Sequence, residues 1–557
     1  MPEANAEPHH IRDARQHTSK SKLARCVAVA SLLQIAFAPA RAAAQLPPSP
    51  LPLSNTEDAR TLPKGTVQFR ALNAWTRIDA VYDAAADSAH RLHALGDAFN
   101  ATQLGTRQFP GLIPAENALR TLTGDPNLTL NLGQTFGTVD TRIVTTPLSL
   151  LYGVTNRLTI GAMMPVVQTH SNVVVELNPR RLGANANINV GPNPARLGQP
   201  GNNLQLIQAL AKADTDLARF IAACGTSGSC SQQALDQANR SRNLDTLYEK
   251  AVQVLYGTDS QASLFAPLGT AQTAVTSQLT ALEQQINGLL GTSYSFPAPA
   301  GASDRAALQQ LRQLATEPSG VAFDSLGSPD RIGIGDVEVA ALFKLVDGFS
   351  DSTGGLRLRG TLRGVLRLGT GRPPSGRVPF DVGTGTGQTS ADGGAVFDVR
   401  FGRKLMTTIA AQYTQYFTSA DVARLPNSDY ALFPLDVPVA GTWREGSAIQ
   451  VDATPRVQLT DYLSFHGAYA LRHQAASTYR APDGGSPPLF AATTEQRAGF
   501  GFAYSTVNRY AAGRASVPVE LFFTHLETLT ASGGLTPKYN RDQIELRIYY
   551  RLRRGGR

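Results

Sequence analysis

No stretch of this 557-residue chain approaches the 18 to 20 consecutive apolar residues that a membrane-spanning helix needs, which excludes a helical membrane protein. Charge is also scarce. Asp, Glu, Lys and Arg make up 17% of the residues, well below the roughly 25% of an average soluble domain. No run of like charge suggests a nucleic-acid partner. The scarcity does not signal disorder, because 42% of residues are hydrophobic and the net charge is only +8. Cysteine is nearly absent, with 3 residues, so neither a disulfide framework nor a cysteine-rich metal centre is available. The patterns G-x-S-x-G, H-E-x-x-H and the P-loop are missing too. No cofactor, metal or catalytic residue is therefore expected.

The first 44 residues read as an export signal. Lys20, Lys22 and Arg25 precede the apolar run VAVASLLQIAFA, Pro39 ends it, and Ala40-Arg41-Ala42 or Ala42-Ala43-Ala44 offers a cleavage site. This segment holds six Lys/Arg and three Asp/Glu, so its removal lowers the net charge from +8 to +5. Cys26 leaves with it. Cys224 and Cys230, in CGTSGSC, remain as one small disulfide, as suits an exported protein; half of a metal site would need further Cys or His nearby. A Pro-rich segment, 45–63, is expected on the periplasmic side.

What the chain does have, from Lys64 onward, is alternation with period two. In GLRLRGTLRGVLRLG, Leu356, Leu358, Leu362, Leu366 and Leu368 fall on one face, and Arg357, Arg359, Arg363 and Arg367 on the other. IGDVEVAALFKLV sets Val337, Val339, Ala341, Phe343 and Leu345 against Asp336, Glu338 and Lys344. AIQVDATPRVQL and QIELRIYYRLR repeat the pattern, placing Asp452, Arg456, Glu545 and Arg547 on polar faces. Such runs exceed the usual sandwich strand of about 5 to 6 residues and reach the 9 to 11 needed to cross a bilayer. Twelve strands are expected, near 65–79, 129–153, 157–177, 334–346, 355–370, 392–402, 404–418, 446–459, 462–479, 492–504, 516–531 and 540–553. Splitting 129–153 would require a further strand elsewhere and give fourteen. Short connections such as 154–156, 402–404 and 460–461 alternate with mostly long ones at 80–128, 178–333, 371–391, 419–445, 480–491 and 532–539. That is the rhythm of an antiparallel up-and-down outer-membrane β-barrel, spanning 64–177 and 334–553 before a basic tail, 554–557.

Four arginines facing lipid would cost about 2 to 4 kcal/mol each near the midplane, so they face the lumen. Asp398, Arg400, Arg472, Arg497 and Glu520 join them there. Twelve strands at about 4.8 Å spacing and 40° tilt enclose a backbone diameter of about 24 Å, leaving about 10 Å between side chains. Aromatic girdles are expected, with Tyr152, Phe343, Phe401, Phe465, Tyr504 and Tyr550 at one rim and Trp75, Phe417, Trp443 and Phe523 at the other.

PLSLLYGVTNRLTIGAMMPVV (147–167), GIGDVEVAALFKL (333–345) and LRLGTGRPP (366–374) resemble a family of outer-membrane transporters named for a link to the meta pathway of phenol degradation. The matching residues are Tyr152-Gly153-Val154-Thr155-Asn156-Arg157 and Pro165-Val166, then Gly333, Gly335 and Asp336. The resemblance covers about 147–177 and 333–418 well and the C-terminal third in rhythm only. It implies a barrel that moves a small hydrophobic or aromatic compound, but these are hairpin motifs and say little about substrate. This chain departs from the family in the length of 178–333 and in its RRGGR ending.

Within 178–333 the period becomes helical. Val275, Leu279, Leu282, Ile286 and Leu289 form one stripe, and 203–223, 232–256 and 303–315 look alike, the last with Ser303 as N-cap; another helix is expected near 82–100. This external insert is either an exposed head or a cover that folds over the mouth and gates it. The arginine row either draws anions or forms cross-strand ion pairs with Asp336, Glu338 and Asp398. Ser464 and His466 share a strand face but lack an orienting carboxylate, which argues for interior filling over hydrolase chemistry. The expected activity is passive passage of a small solute. The alternative is a structural or adhesion barrel that binds partners through its large loops. Expected partners are outer-membrane lipid, the barrel-insertion machinery and periplasmic chaperones.

Overall fold

Alternating side chains commit each long segment to a strand with one face toward lipid, and such strands leave no unpaired edge only if the sheet closes. The computed structural model shows that closure. It describes residues 58–552, apart from 84–90, 183–186, 228–229, 259–261, 317–323, 325–326, 351–355, 426–436, 483, 485–490 and 534–535. The export signal, residues 45–57 and the basic tail lie outside the described residues.

Twelve antiparallel strands form the barrel: β1 Thr66–Asp83, β2 Gly133–Gly153, β3 Leu158–Leu177, β4 Val337–Asp347, β5 Leu356–Leu368 and β6 Ser390–Phe401, then β7 Leu405–Tyr416, β8 Ala448–Gln458, β9 Leu463–Gln474, β10 Thr493–Ser505, β11 Val519–Gly533 and β12 Thr536–Arg551. Each pairs with the next, and β1 pairs with both β12 and β2, which shuts the cylinder. The fourteen-strand option is excluded because 133–153 is a single strand.

At 21 residues β2 is about 70 Å long, more than a bilayer requires, and its outward face records where the membrane ends. Leu148, Leu150 and Tyr152 are exposed and apolar toward the short-turn end. Beyond Val144 come Arg142 and Asp140, the latter 2.7 Å from Arg77 on β1. The short-turn end is periplasmic by the architecture of such barrels. Trp75 and Phe417 stand at the external limit of the apolar band. Two expected girdle residues do not belong there. Trp443 is buried in a separate three-stranded sheet beside Tyr479, and Phe523 sits four residues from the periplasmic start of β11. The connection expected at 532–539 is shorter, because β11 continues to Gly533 and β12 begins at Thr536.

The helices of the external connections are α1 Ile113–Thr123, α2 Asn203–Ser227, α3 Gln232–Leu255, α4 Thr270–Leu290 and α5 Leu308–Thr316, and one further short helix, Val507–Ala511, lies between β10 and β11. The expected stripe of α4 is inside, with Val275, Leu279, Leu282 and Ile286 buried. Ser231 caps α3, its hydroxyl accepting from the Ala234 amide at 3.2 Å. Cys224 and Cys230 are disulfide-bonded where α2 turns into α3, their Cα atoms 5.2 Å apart. Two helix expectations need correction. The first long connection has a strand, Arg91–Ala94, extending the β1 edge where a helix was expected at 82–100, and its α-helix lies at 113–123 instead. The helix expected from Ser303 begins at Leu308.

The insert is not a detached head. One hydrophobic cluster joins Leu206, Leu210, Leu217, Val252, Leu279 and Ile286 of the helices to Ile78, Val139, Val173, Val175 and Tyr539, which point inward from the external ends of β1, β2, β3 and β12. The helices thus cover the mouth. No helix among the described residues is long and apolar enough to cross a membrane.

Candidate functional site: the barrel lumen

Strand parity puts the charged residues inside. On β5, Leu356, Leu358, Leu362, Leu366 and Leu368 are exposed on the outer face while the four arginines are covered to differing degrees on the inner one. Their partners differ. Arg359 grips Asp398 on β6 at 2.6 Å, and Asp398 also accepts from Thr408 at 2.7 Å. Arg367 meets Glu338 on β4 at 2.7 Å, with Asp392 at 3.8 Å. Among the described residues Arg363 makes a long hydrogen bond, 3.4 Å, to Gln412. Arg357 stands directly across from Arg400 in the β5–β6 register.

Among the described residues Asp336 does not pair with an arginine, contrary to expectation. Its carboxylate accepts from the amides of Gly371 (2.9 Å) and Thr386 (2.7 Å) and from the Thr386 hydroxyl (2.9 Å), folding the loop 369–389 inward. Glycine is required there, since a Cβ on Gly385 would lie 2.8 Å from that carboxylate. The same loop carries Phe380, a buried non-glycine residue at φ +57, whose carbonyl accepts from the Ser171 hydroxyl at 2.7 Å and whose ring packs on Phe99. Packing on both sides holds a backbone conformation that is costly in isolation.

The feature that the sequence did not disclose is the stretch 58–62. It lies in the lumen. The Ala59 amide donates to Asp398 (3.1 Å), the Thr361 hydroxyl donates to the Ala59 carbonyl (2.7 Å), and the Leu62 amide donates to Thr159 (2.8 Å). Arg60 reaches the opposite wall at Glu520, 2.8 Å away, and also binds Asp58 at 2.6 Å. Arg547 lies 3.7 Å from Asp58 and 3.9 Å from Glu520, with Glu545 at 2.8 Å and Arg70 completing the group. Tyr549 donates to Glu520 at 2.5 Å. A segment tied to β3, β5, β6, β11 and β12 crosses the bore, so a passage of about 10 Å is absent at that level.

At mid-height, Asp452 accepts from Gln450 at 3.0 Å, and the void bounded by Arg363, Asp392, Gln412 and Asp452 holds about 20 Å³, room for no more than a water. Arg456 lies over the Phe522 ring at 5.5 Å. Ser464 and His466 are both buried; His466 shares a 3.0 Å hydrogen bond with Thr524, and its Nδ1 has no partner among the described residues. Arg357 and Arg400, with Arg403, Arg509 and Arg514, line a cavity of about 450 Å³ at the periplasmic end.

No family model matches this chain, and no curated protein matches it. Among solved structures, an outer membrane channel from Pseudomonas putida F1 is 9% identical, with 88% of this chain and 98% of that one covered and a TM-score of 0.37. The translocator domain of the autotransporter NalP from Neisseria meningitidis is 7% identical over 96% of this chain and 98% of that one, TM-score 0.27. The toluene transporter TodX from Pseudomonas putida is 10% identical over 88% and 91%, TM-score 0.23. These likenesses are too distant to add to what the strand pairing itself establishes. The chain is an outer-membrane-type antiparallel β-barrel of twelve strands with a charged interior.

Proposed function

We propose that this barrel is an outer-membrane channel that passively moves a small solute. The observation that carries the reading is the wall itself. It is a closed cylinder with apolar side chains outward and a paired set of arginines and carboxylates inward, which is an expensive interior for a purely structural barrel. Conduction then requires residues 58–62 to leave the bore, and the helices over the mouth act as the external gate. A hydrophobic or aromatic solute, and the link to phenol degradation, rest on the hairpin resemblance alone; the charged lumen does not select them. Assembly would engage the barrel-insertion machinery and periplasmic chaperones.

Liposome swelling with the purified full-length protein tests this. Swelling in small neutral solutes, falling off with solute size, is expected. A barrel that stays impermeable would shift the assignment to binding of partners by the large external cover.

A further inference from the structure

Higher in the barrel Arg359 and Arg367 each meet a carboxylate on a neighbouring strand. Two residues along β5 and β6 from the Arg359–Asp398 pair, the register places Arg357 directly opposite Arg400, two like charges at adjacent inward positions. Like charges directly opposite on neighbouring strands repel.

The surrounding turns add to the imbalance. The turn after β6 supplies Arg403, whose carbonyl accepts from Arg400 at 3.2 Å, and the connection between β10 and β11 supplies Arg509 and Arg514. Among the described residues none of Arg400, Arg403, Arg509 and Arg514 forms a salt bridge. Among the described residues Asp461 is the one acid on the cavity wall, and it faces Arg400, Arg403, Arg509 and Arg514 across about 450 Å³. Asn508 contributes an amide suited to hydrogen-bond an oxyanion, whereas the Gln458 amide nitrogen donates to the Thr460 carbonyl at 2.6 Å. Arg509 is held over the Tyr462 ring at 5.8 Å, which fixes its aim without neutralising it. Just above Gln458 on the same face, Arg456 keeps buried Nε and Nη2 atoms without a partner among the described residues.

We propose that this vestibule is a binding site for a small oxyanion bearing phosphate, sulfate or carboxylate groups. Forked guanidiniums converging from two connections and from strand β6 match such groups bidentately, and a concave wall excludes a flat protein surface. The site stands apart from the channel reading, because binding is read without transport.

Inorganic pyrophosphate titrated calorimetrically into the detergent-solubilised full-length protein at low ionic strength is the direct test. Saturable binding is expected, weakening at least tenfold in Arg400→Gln/Arg509→Gln, partly restored in Arg400→Lys/Arg509→Lys, and unchanged in Arg219→Gln on the external cover. Absence of binding, or equal binding in the glutamine double variant with its barrel intact by gel mobility, would overturn the site. Competition by short-chain phosphatidylglycerol but not phosphatidylcholine would identify a lipid headgroup as the natural source; no competition by either would identify a free solute.

Discussion

The barrel and its external cover put their apolar residues in opposite places. In the cover, Leu217, Leu279 and Ile286 are sealed inside a helical core, and charges such as Arg219 face water. In the barrel, Leu148, Leu362 and Ile544 face outward while Arg367, Glu338 and Asp398 are buried. One chain of modest hydrophobic content builds both because periodicity, not composition, decides where apolar groups go. Low overall charge fits too: the barrel needs charges on one strand face only, and uses them in pairs.

The contrast can be broken most forcefully at an inward pair. Arg359→Met leaves Asp398 buried without its main cation and should cost about 3 to 5 kcal/mol, read as lost resistance to thermal or denaturant unfolding; restoration in Arg359→Met/Asp398→Leu would attribute the loss to the orphaned carboxylate. Next, one substitution should have opposite consequences in the two regions. Leu148→Arg on the lipid face is expected to cost about 2 to 4 kcal/mol. Leu204→Arg, on the exposed side of α2, should change stability by less than about 0.5 kcal/mol. Similar losses at both positions would mean that the outward face of β2 is not in lipid.

A smaller effect is expected within the cover, where Asp245 is an exception to its own region. It is fully covered on α3, neither carboxylate oxygen has a partner among the described residues, and burial, with Asp214 and Glu249 nearby, pushes its carboxyl up to about 8. The folded cover then keeps a proton that the unfolded chain gives up near pH 4, so its stability falls as pH rises from about 4 to about 8. Asp245→Asn should flatten that dependence and slow hydrogen exchange of α3 at pH 8, by an amount on the order of 2 kcal/mol. An unchanged pH profile would mean that the site is hydrated.

Much of this was legible from alternation. The β5 arginine row, the twelve strands and the stripe of α4 follow from period two or period 3.6. The pairings were half legible: Glu338 and Asp398 find arginines because neighbouring strands bring them across, but Asp336 lies just before β4, where it clamps a loop instead. Residues 58–62 carry no periodicity, and their partners lie as far away as Glu520, so no local pattern announces that they enter the bore. The helix misplaced to 82–100 failed for a related reason. The β1 edge continues above the membrane and pairs Arg91–Ala94, overriding local helical preference.

The central claim, a charged bore crossed by a displaceable segment, is tested most directly by single-channel recording of the full-length protein in planar bilayers beside Asp58→Asn/Arg60→Gln, which breaks the segment's ion pairs while leaving every barrel residue in place. Small or rare openings are expected for the natural sequence and larger, longer ones for the variant. Identical silence from both, with each barrel folded, would contradict it.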